Sequence, residues 1–545
     1  MTVKSIRGAL AADPNIGAGN VLATVLAHGV DRDGPGLTFD TDVDGHPAWT
    51  PMTIGQLDER VAARASWLHA HGVGRRDVIA IWTGTAADHI LTFLALNRIG
   101  AIPALINGNL SGEIAAEYIR RLRASGVLTD AAHRESLGSA ELNAPHLADL
   151  SELGTGDPAL APAHYRHHQD DPIAITHSSG TTGLPKAVVA SHSSLFAATR
   201  HLLTMPQAQG VNRILNALPA PHTATILMVN QALGNRAEFL ALSSQAGPYV
   251  LDAIEKWKPA GVFGFAVTWA ELSRIDLTKH DLDSVRIWFN TGDCAHEAHI
   301  RPLVAVGSHD TVTRQGVVRV PGSRFIDGLG STEMGHSMFH VTHGADTERY
   351  GRCIGRPYLF ADIAVLSLDG DILGAGEVGH LGVKSPTLAP GYWNDSVTTY
   401  RARLNGYYLT GDLVYRDEAG YYYHMDRAVD SVELPDGGYL HTSMSEERIL
   451  AACPEVHDCT VVAVREGDSV VTDVLVVLAA DADPDADRLD RVRAALGERV
   501  GGTLRKVVVV REEDVPTGAT GKVRKLVLRQ RHLAELRSVA GAARS

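Results

Sequence analysis

A run of glycines, hydroxyl side chains and one lysine at residues 177–187 (HSSGTTGLPKA) has the composition of a phosphate-binding segment. Glycines let the backbone approach a phosphate and present its N–H groups, and Lys186 adds a positive charge. The spacing is not that of a Walker loop, which ends in a lysine that opens a helix. Residues 173–176 and 187–190 on either side are both typical of strands. The sequence therefore predicts a phosphate-binding turn between two strands, with a surface loop as the alternative.

The segments that precede and follow this turn alternate between helix and strand. Thr53 can cap a helix, residues 78–82 form a buried-strand candidate, and residues 87–99 are again helical. Further short apolar strands are predicted at residues 214–218, 261–265 and 285–290. This alternation favours a large α/β region with doubly wound sheets.

The last third of the chain has a different pattern. From about residue 360 to residue 427 the predicted strands are closely spaced, which indicates a β-rich subdomain. From there on, strands and helices mix as in a small α+β module. We therefore expect an N-terminal domain of residues 1–427 and a small, mobile C-terminal domain of residues 428–545.

Composition disfavours several classes of protein. The chain has 545 residues, of which 45% are hydrophobic and 21% charged, as in ordinary soluble proteins. Its net charge of -13 disfavours nucleic-acid binding, and no apolar run approaches the ~18 residues that span a bilayer. The start of the chain lacks a signal-peptide core, so we expect a cytoplasmic location. The first 45 residues are expected to form a surface arm.

Four further segments follow the turn, and with it they resemble the motifs of the adenylate-forming superfamily in the family's order. That superfamily contains acyl-CoA synthetases, peptide-synthetase adenylation domains and luciferases. The four segments are residues 324–333 (RFIDGLGSTE), 376–393 (GEVGHLGVKSPTLAPGYW), 408–412 (YLTGD) with Arg427, and 516–522 (PTGATGK).

The resemblance implies a reaction in two steps. A carboxylate attacks the α-phosphate of ATP to give an acyl-adenylate and pyrophosphate, and a thiol then displaces AMP. Lys522 would reach the carboxylate and the α-phosphate, Thr332 would touch phosphate, and Glu333 would hold Mg²⁺. Asp412 would accept the ribose hydroxyls with help from Arg427. The other nucleotide-binding positions it implies are Ser179, Thr181, Thr182, Gly183, Lys186, Gly292, Leu329, Gly330 and Ser331.

The same resemblance places the acyl pocket. His222, in the segment 218–223 (LPAPHT), would act in catalysis or gate the route of the thiol. No acidic residue occurs in that segment, which favours a plain carboxylic acid over an amino acid as substrate. The predicted pocket walls are Gly264, Phe265, Ala266, Asn290, Thr291 and Met334. Several of these are small, which indicates a roomy apolar pocket.

Two departures from the family pattern affect the expected function. Leu329 stands where relatives carry an aromatic residue that stacks on adenine, and losing that contact removes about 1 kcal/mol of stacking. Residues 432–447 lengthen a loop that belongs to the thioester-forming conformation of the family. Both changes leave the phosphate chemistry intact and raise the question of whether both half-reactions are kept.

The leading hypothesis is an acyl-CoA ligase that uses ATP, Mg²⁺ and coenzyme A to activate a hydrophobic or bulky carboxylic acid. A second hypothesis is an enzyme that forms the thioester from a ready-made acyl-adenylate. Such an enzyme resembles the acyl-CoA ligases of actinomycete terpenoid-antibiotic pathways of the platensimycin type, and the composition, rich in alanine, arginine and glycine, suits that source. A carrier-protein loading enzyme and a noncatalytic scaffold are further alternatives. The oligomeric state stays open.

Overall fold

The computed structural model describes residues 3–178, 184–207, 210–314, 316–519 and 521–542. Most of the predicted phosphate turn, with Ser179, Thr181, Thr182 and Gly183, lies outside the described residues.

The helices are α1 Val3–Ala12, α2 Val21–Ala27, α3 Ile54–Ala70, α4 Ala86–Ile99, α5 Gly112–Leu122, α6 Ala131–Leu137, α7 Ser194–Thr204, α8 Thr223–Asn235, α9 Gly247–Trp257, α10 Ala266–Leu272, α11 Glu297–Ala305, α12 Ser396–Arg401, α13 Thr442–Ala452, α14 Leu489–Gly501 and α15 Lys525–Ala542. The strands are β1 Leu37–Phe39, β2 Val78–Thr83, β3 Ile102–Asn107, β4 Gly126–Thr129, β5 His146–Asp149, β6 Pro172–Ser178, β7 Lys186–Ser191, β8 Arg213–Asn216, β9 Glu238–Ala241, β10 Gly261–Gly264, β11 Ile287–Asn290, β12 Ser308–Thr313, β13 Gly316–Pro321, β14 Arg324–Asp327, β15 Phe339–His343, β16 Cys353–Pro357, β17 Asp362–Leu366, β18 Gly379–Lys384, β19 Gly391–Tyr392, β20 Arg403–Leu404, β21 Tyr407–Arg416, β22 Tyr422–Arg427, β23 Val432–Glu433, β24 Tyr439–Leu440, β25 Val456–Glu466, β26 Ser469–Leu478 and β27 Leu504–Val509.

A seven-stranded sheet contains the two strands that flank the predicted phosphate turn. Its order is β19-β7-β6-β3-β2-β4-β5, and its strands from β6 to β5 are parallel. Strand β7 returns antiparallel to β6, so the strand–turn–strand prediction is confirmed for the described residues. The helix predicted after Thr53 is also confirmed, because Thr53 and Gln56 form a reciprocal capping box at its start.

Within the described part of the chain, the larger sheet contains both parallel and antiparallel strand pairs. Its six strands β1, β9, β8, β10, β11 and β14 are parallel neighbours. From β15 onward the strands are antiparallel, and residues 353–427 extend the same sheet through β16, β22, β21, β18 and β17. The predicted β-rich segment therefore continues the α/β sheet instead of forming a separate one.

Residues after Arg427 build a smaller α+β unit. Strands β25, β26 and β27 form a three-stranded sheet, and α13, α14 and α15 accompany it. Its buried side chains, from Leu434 to Leu504, form a hydrophobic cluster of their own. The molecule is thus a large α/β N-terminal domain with mixed sheets and a smaller C-terminal domain of strands and helices. The exact boundary at 427–428 stays a prediction.

The expectation of an N-terminal surface arm was wrong. Ile6 and Leu10 of α1 are 1% and 0% exposed and belong to the main hydrophobic cluster. The Arg7 guanidinium donates to the carbonyls of Leu202 and Met205 at 2.9 and 2.8 Å. Helix α1 packs on α7 because its apolar residues share one face, a spacing that the sequence already carried.

The structure also describes the cysteines and the apolar helices. The four cysteines are free and buried. Within the described ranges, no helix is both long and apolar enough to cross a membrane.

Candidate active site

The predicted site residues gather at the carboxyl ends of parallel strands. Strand β6 ends at Ser178 in the smaller sheet, while β10, β11 and β14 end at Gly264, Asn290 and Asp327 in the larger sheet. Open α/β sheets bind ligands at such edges, because the loops that follow the strands converge there.

Lys522 meets three other predicted residues at one point of this edge. Its Nζ atom lies 3.9 Å from the position that a Cβ on Gly292 would occupy, and the ring of Phe265 lies 3.3 Å from that position. The Phe265 ring also contacts the His222 ring edge-on, with 5.0 Å between centroids. Gly292 has a φ of +90°, so a side chain there would be strained as well as crowded. We call Lys522, Gly292, Phe265 and His222 the reaction corner.

The loop that carries Lys522 is attached to the large domain. The carbonyl of Ala519 accepts hydrogen bonds from the side-chain amides of Asn107 and Asn109, each at 3.3 Å. Within the loop, the N–H of Gly518 donates to the carbonyl of Lys522 at 2.8 Å. The loop that positions the lysine is therefore held both by the large domain and by its own backbone.

Polar contacts between the domains hold the C-terminal domain over the site. The Nδ1 atom of His296, which precedes α11, lies 2.6 Å from Oε2 of Glu447 on α13. The Nε2 atom of His457 lies 2.9 Å from the carbonyl oxygen of Ala270. Burial acts to raise the pKa of Glu447, but the hydrogen bond and charge of His296 outweigh it and lower the pKa.

Asp412 and Arg427, predicted to hold the ribose, face each other across β21 and β22. Arg427 Nε lies 3.5 Å and His424 Nε2 lies 3.3 Å from Asp412 Oδ1. Burial acts to raise the pKa of Asp412, but the charge of Arg427 and the hydrogen bond of His424 lower it. An ionised carboxylate with two acceptor oxygens fits a pair of ribose hydroxyls.

A buried arginine that the sequence reasoning missed connects this carboxylate to the reaction corner. Arg352 donates to Nδ1 of His424 at 2.8 Å, which leaves the Nε2 of that ring to face Asp412. Arg352 also lies 3.4 Å from Asp293, whose side chain is 46% exposed. Burial acts to raise the pKa of Asp293, yet the charges of Lys522 and Arg352 hold it well below its usual range.

The predicted magnesium ligand has a fixed partner. The hydroxyl of Tyr392 donates to Oε1 of Glu333 at 3.0 Å, and Lys186 Nζ lies 5.5 Å from the centre of the Tyr392 ring. Burial and the neighbouring Glu333 raise the pKa of Tyr392, so its hydroxyl remains a donor. One carboxylate together with phosphate oxygens is the ligand set that Mg²⁺ commonly takes in nucleotide sites, and these residues fit it. Thr332, beside Glu333, is buried.

Three predicted contact residues lie behind the site surface. Leu329 and Met334 are 2% and 0% exposed and belong to one buried cluster, so they support the site from the core. The Asn290 amide donates to Asp327 at 2.6 Å, and its oxygen accepts from the Trp269 indole at 2.9 Å. These positions therefore shape the site and offer almost no surface to a ligand.

Other predicted positions lie on the segments around Ser337. The Thr291 and Ser337 hydroxyls are 2.9 Å apart, and Gly330 pairs with Ser337 in a short antiparallel bridge. The Ser331 hydroxyl accepts from the N–H of Met334 at 3.3 Å. The predicted walls Gly264, Phe265 and Ala266 run from the end of β10 into α10.

Two histidines at the site are neutral, and their backbone contacts fix the position of the proton. Nδ1 of His222 accepts from the N–H of Ala224 at 3.1 Å, and Nε2 of His177 accepts from the N–H of Asn107 at 3.1 Å. Each ring therefore carries its proton on the other nitrogen. Burial lowers the pKa of His222 to about 3 and that of His177 to about 4, so both rings are neutral hydrogen-bond donors.

Sequence signals could have found some of the missed residues. Asp293 follows the carboxyl end of β11 by three residues, and His177 lies near the end of β6, so their positions alone made them candidates. Arg352 had no such signal, because a single arginine in a connecting segment does not reveal its buried contacts.

Comparisons with known proteins identify relatives of this chain. A 3-aminoavenalumate diazotase of a Streptomyces species is 45% identical over 551 residues, which cover 97% of this chain and 98% of the relative. An anthranilate–CoA ligase of Pseudomonas aeruginosa is 27% identical and covers 92% of this chain and 95% of the ligase.

Among solved structures, the anthranilate CoA ligase AuaEII in complex with anthranoyl-AMP has the same fold. It aligns with a TM-score of 0.81 and 20% identity over 97% of this chain and 98% of that one. The family described as AMP-binding enzyme matches residues 38–393. With its site at the carboxyl ends of the strands and its motifs in the family order, this chain belongs to the AMP-binding, adenylate-forming enzyme family.

Proposed function

We propose that this protein is an ATP-dependent diazotase that converts the amine of an amino-substituted aromatic acid to a diazonium group, with nitrite as the nitrogen source. The observation that carries the proposal is the 45% identity with a diazotase over nearly the full length of both chains. The CoA-ligase relative described above is 27% identical. The adenylate-forming fold supplies the activation that nitrite needs before it can react with an amine.

The proposed reaction has three balanced steps. A nitrite oxygen attacks the α-phosphate of ATP, which forms a nitrosyl adenylate (O=N–O–AMP) and releases pyrophosphate. The amine lone pair then attacks the nitrosyl nitrogen, the N–O bond to AMP breaks with its electrons going to AMP, and the amine loses one proton. The resulting N-nitrosamine takes up one proton and loses water to give the diazonium ion.

The residues of the reaction corner suit the first of these steps. Nitrite and the α-phosphate are both anionic, and Lys522 supplies a positive charge beside Gly292. The neutral His222 ring offers an N–H donor next to it for a small oxyanion. Asp412 and Arg427 would hold the ribose, and Glu333 would hold Mg²⁺ with the phosphates.

Ligation of an aryl acid to coenzyme A is a second candidate function. The similarity to the anthranilate–CoA ligase favours it, and the same corner could activate a carboxylate in place of nitrite. The two functions differ in which oxyanion receives the adenylyl group.

Isotope transfer separates the two functions. The purified enzyme is given ATP, Mg²⁺, ¹⁸O-labelled nitrite and aminobenzoates, and the AMP is analysed by mass spectrometry. A diazotase leaves one nitrite oxygen on AMP, because the N–O bond breaks in the second step, and its diazonium product couples to a naphthol as a coloured azo dye. Nitrite-dependent exchange of pyrophosphate into ATP gives an independent reading of the first step.

Three outcomes of the same experiment would contradict or control for the diazotase function. Pyrophosphate exchange that depends on the aryl acid and ignores nitrite, together with a CoA ester when coenzyme A is added, would establish the ligase and overturn the diazotase. Absence of exchange with either oxyanion would favour an enzyme that takes a ready-made adenylate. Lys522→Ala serves as the inactive control for adenylation in every arm.

A further inference from the structure

A third histidine lies next to the site, and the sequence motifs did not single it out. His336 follows Gly335 on the segment whose next residue, Ser337, contacts Thr291 and Gly330. Thr291 precedes Gly292 of the reaction corner. His336 is therefore linked to the reaction corner through its neighbour Ser337, which contacts the residue that precedes Gly292.

Two aromatic rings pack against the His336 ring. Its edge contacts Tyr358 and Phe360, with centroid distances of 5.3 and 5.4 Å. Tyr358 and Phe360 are themselves stacked, at 5.2 Å and with 6° between their planes. Phe360 packs partly against the cluster that contains Phe265. Such a wall suits a flat aromatic substrate.

The hydrogen bonds of His336 set the opposite tautomer from that of His222. Nδ1 of His336 lies 2.6 Å from the carbonyl oxygen of Ser337, which can only accept, so Nδ1 carries the proton. Nε2 of the neutral ring then has a free lone pair. Among the described residues no group donates to this nitrogen, and it is not one of the nitrogens sealed in the core, unlike both ring nitrogens of His343.

The His336 ring is uncharged at neutral pH. Burial lowers the pKa of His336 to about 4, with a smaller contribution from the nearby His201, so the ring is an acceptor at neutral pH. His222, by contrast, offers a donor. The substrate region thus holds one imidazole that can bind an oxyanion and one that can bind an N–H group.

We propose that Nε2 of His336 accepts a hydrogen bond from the substrate's aromatic amine and takes its proton as the N–N bond forms. This inference rests on the diazotase function proposed above. The amine lone pair forms the N–N bond, the N–O bond to AMP breaks, and the proton moves from the amine nitrogen to Nε2. The remaining N–H proton of the nitrosamine shifts to its oxygen, the protonated ring returns its proton to the same oxygen, and water leaves with the N–O bond electrons to give the diazonium ion. An amine nitrogen that has acquired a nitrosyl group is strongly acidic, so a weak base is sufficient.

The test separates the two half-reactions in three variants of the full-length enzyme. His336→Phe removes the acceptor and keeps a ring on the aromatic wall. It is expected to leave nitrite-dependent pyrophosphate exchange within about threefold of the wild type. Diazonium formation is expected to fall about 10²- to 10⁴-fold, the usual effect of losing a general base.

His336→Gln provides the conservative comparison. Its side-chain oxygen can still accept from the amine but cannot take the proton efficiently, so the KM for the amine is expected to recover while kcat remains low. His340→Phe is the matched control, because His340 also contacts Tyr358, at 4.5 Å, but is exposed to solvent. It is expected to behave as the wild type, and thermal unfolding of each variant checks the fold.

Each contrary outcome has a distinct meaning. Diazonium formation at the wild-type rate in His336→Phe would overturn the assignment of His336 and leave the diazotase function intact. An equal loss of pyrophosphate exchange and diazonium formation would also overturn it, because it would indicate a structural role. A wild-type enzyme without nitrite-dependent exchange would overturn the proposed function, and this inference with it.

Discussion

The predicted nucleotide end and the proposed substrate end of the site use ionisable groups in opposite ways. At the nucleotide end, Asp412, Arg427 and Arg352 remain charged because each has a partner of opposite charge or a hydrogen-bonded neighbour. At the substrate end, His222 and His336 are neutral because burial lowers the pKa of both rings. The first arrangement suits binding of a polyanion, and the second suits proton transfer and recognition of small polar groups.

This difference teaches where the family resemblance is informative. Asp412 and Arg427 occupy motif positions, so the sequence pattern alone predicts their roles, whereas the buried Arg352 was found only in the structure. The neutral histidines depend on their surroundings, so the structure is needed to assign them. The following changes test this division, beginning with the largest expected effect.

Lys522→Ala is expected to reduce adenylation about 10²- to 10³-fold, because it removes the positive charge between two anionic reactants. The measurement is pyrophosphate exchange with nitrite and, separately, with an aryl acid. Arg524→Ala, two residues further on, is the control and should retain activity. Pyrophosphate exchange at the wild-type rate in Lys522→Ala would show that this lysine does not take part in adenylation.

Asp412→Asn is expected to raise the KM for ATP about 10- to 100-fold, because a charge-assisted hydrogen bond is worth about 1.5–3 kcal/mol. The KM for the second substrate should not change, since that substrate binds at the other end of the site. Asp417→Asn, near the end of the same strand pair, provides the control. A change in the KM for the second substrate as well as in the KM for ATP would contradict the separation of the site into two independent ends.

Gly292→Ala is expected to lower turnover about tenfold, since the new Cβ would be strained at a φ of +90° and would lie 3.3 Å from the Phe265 ring. Gly420→Ala is the matched control, because Gly420 has a φ of +81° but no neighbour within 4 Å. It should lose a similar amount of stability and keep its activity. Equal activity of the two variants would argue against crowding at the reaction corner.

Leu329→Tyr is expected to leave the Kd for ATP within about twofold of the wild type, because Leu329 is 2% exposed and packs in the core. The larger ring should instead lower the free energy of unfolding by about 1–3 kcal/mol through overpacking. Isothermal titration and chemical unfolding measure the two effects, with Leu329→Met as the volume-conserving control. A tenfold lower Kd for ATP in Leu329→Tyr would show that the side chain at position 329 contacts the adenine.

Much of the fold followed from local patterns. The Thr53 capping box, the buried strand 78–83 and the strand pair around the phosphate turn are all fixed by residues close in sequence. The first 45 residues were misjudged because the apolar face of a short helix does not reveal its partner, which α1 acquires only when it meets α7. Extension of the larger sheet by residues 353–427 was not predictable either, because strand order depends on long-range pairing.

The sequence by itself determined the family and the order of the motifs, and it predicted which charged residues would serve the nucleotide. The tertiary structure decided which of the predicted site residues reach the site. It showed that others, such as Leu329 and Met334, face the core. It also decided the opposite tautomers of His222 and His336. One ring meets a backbone N–H and the other a carbonyl, and this difference between donor and acceptor arises from how the chain folds around each ring.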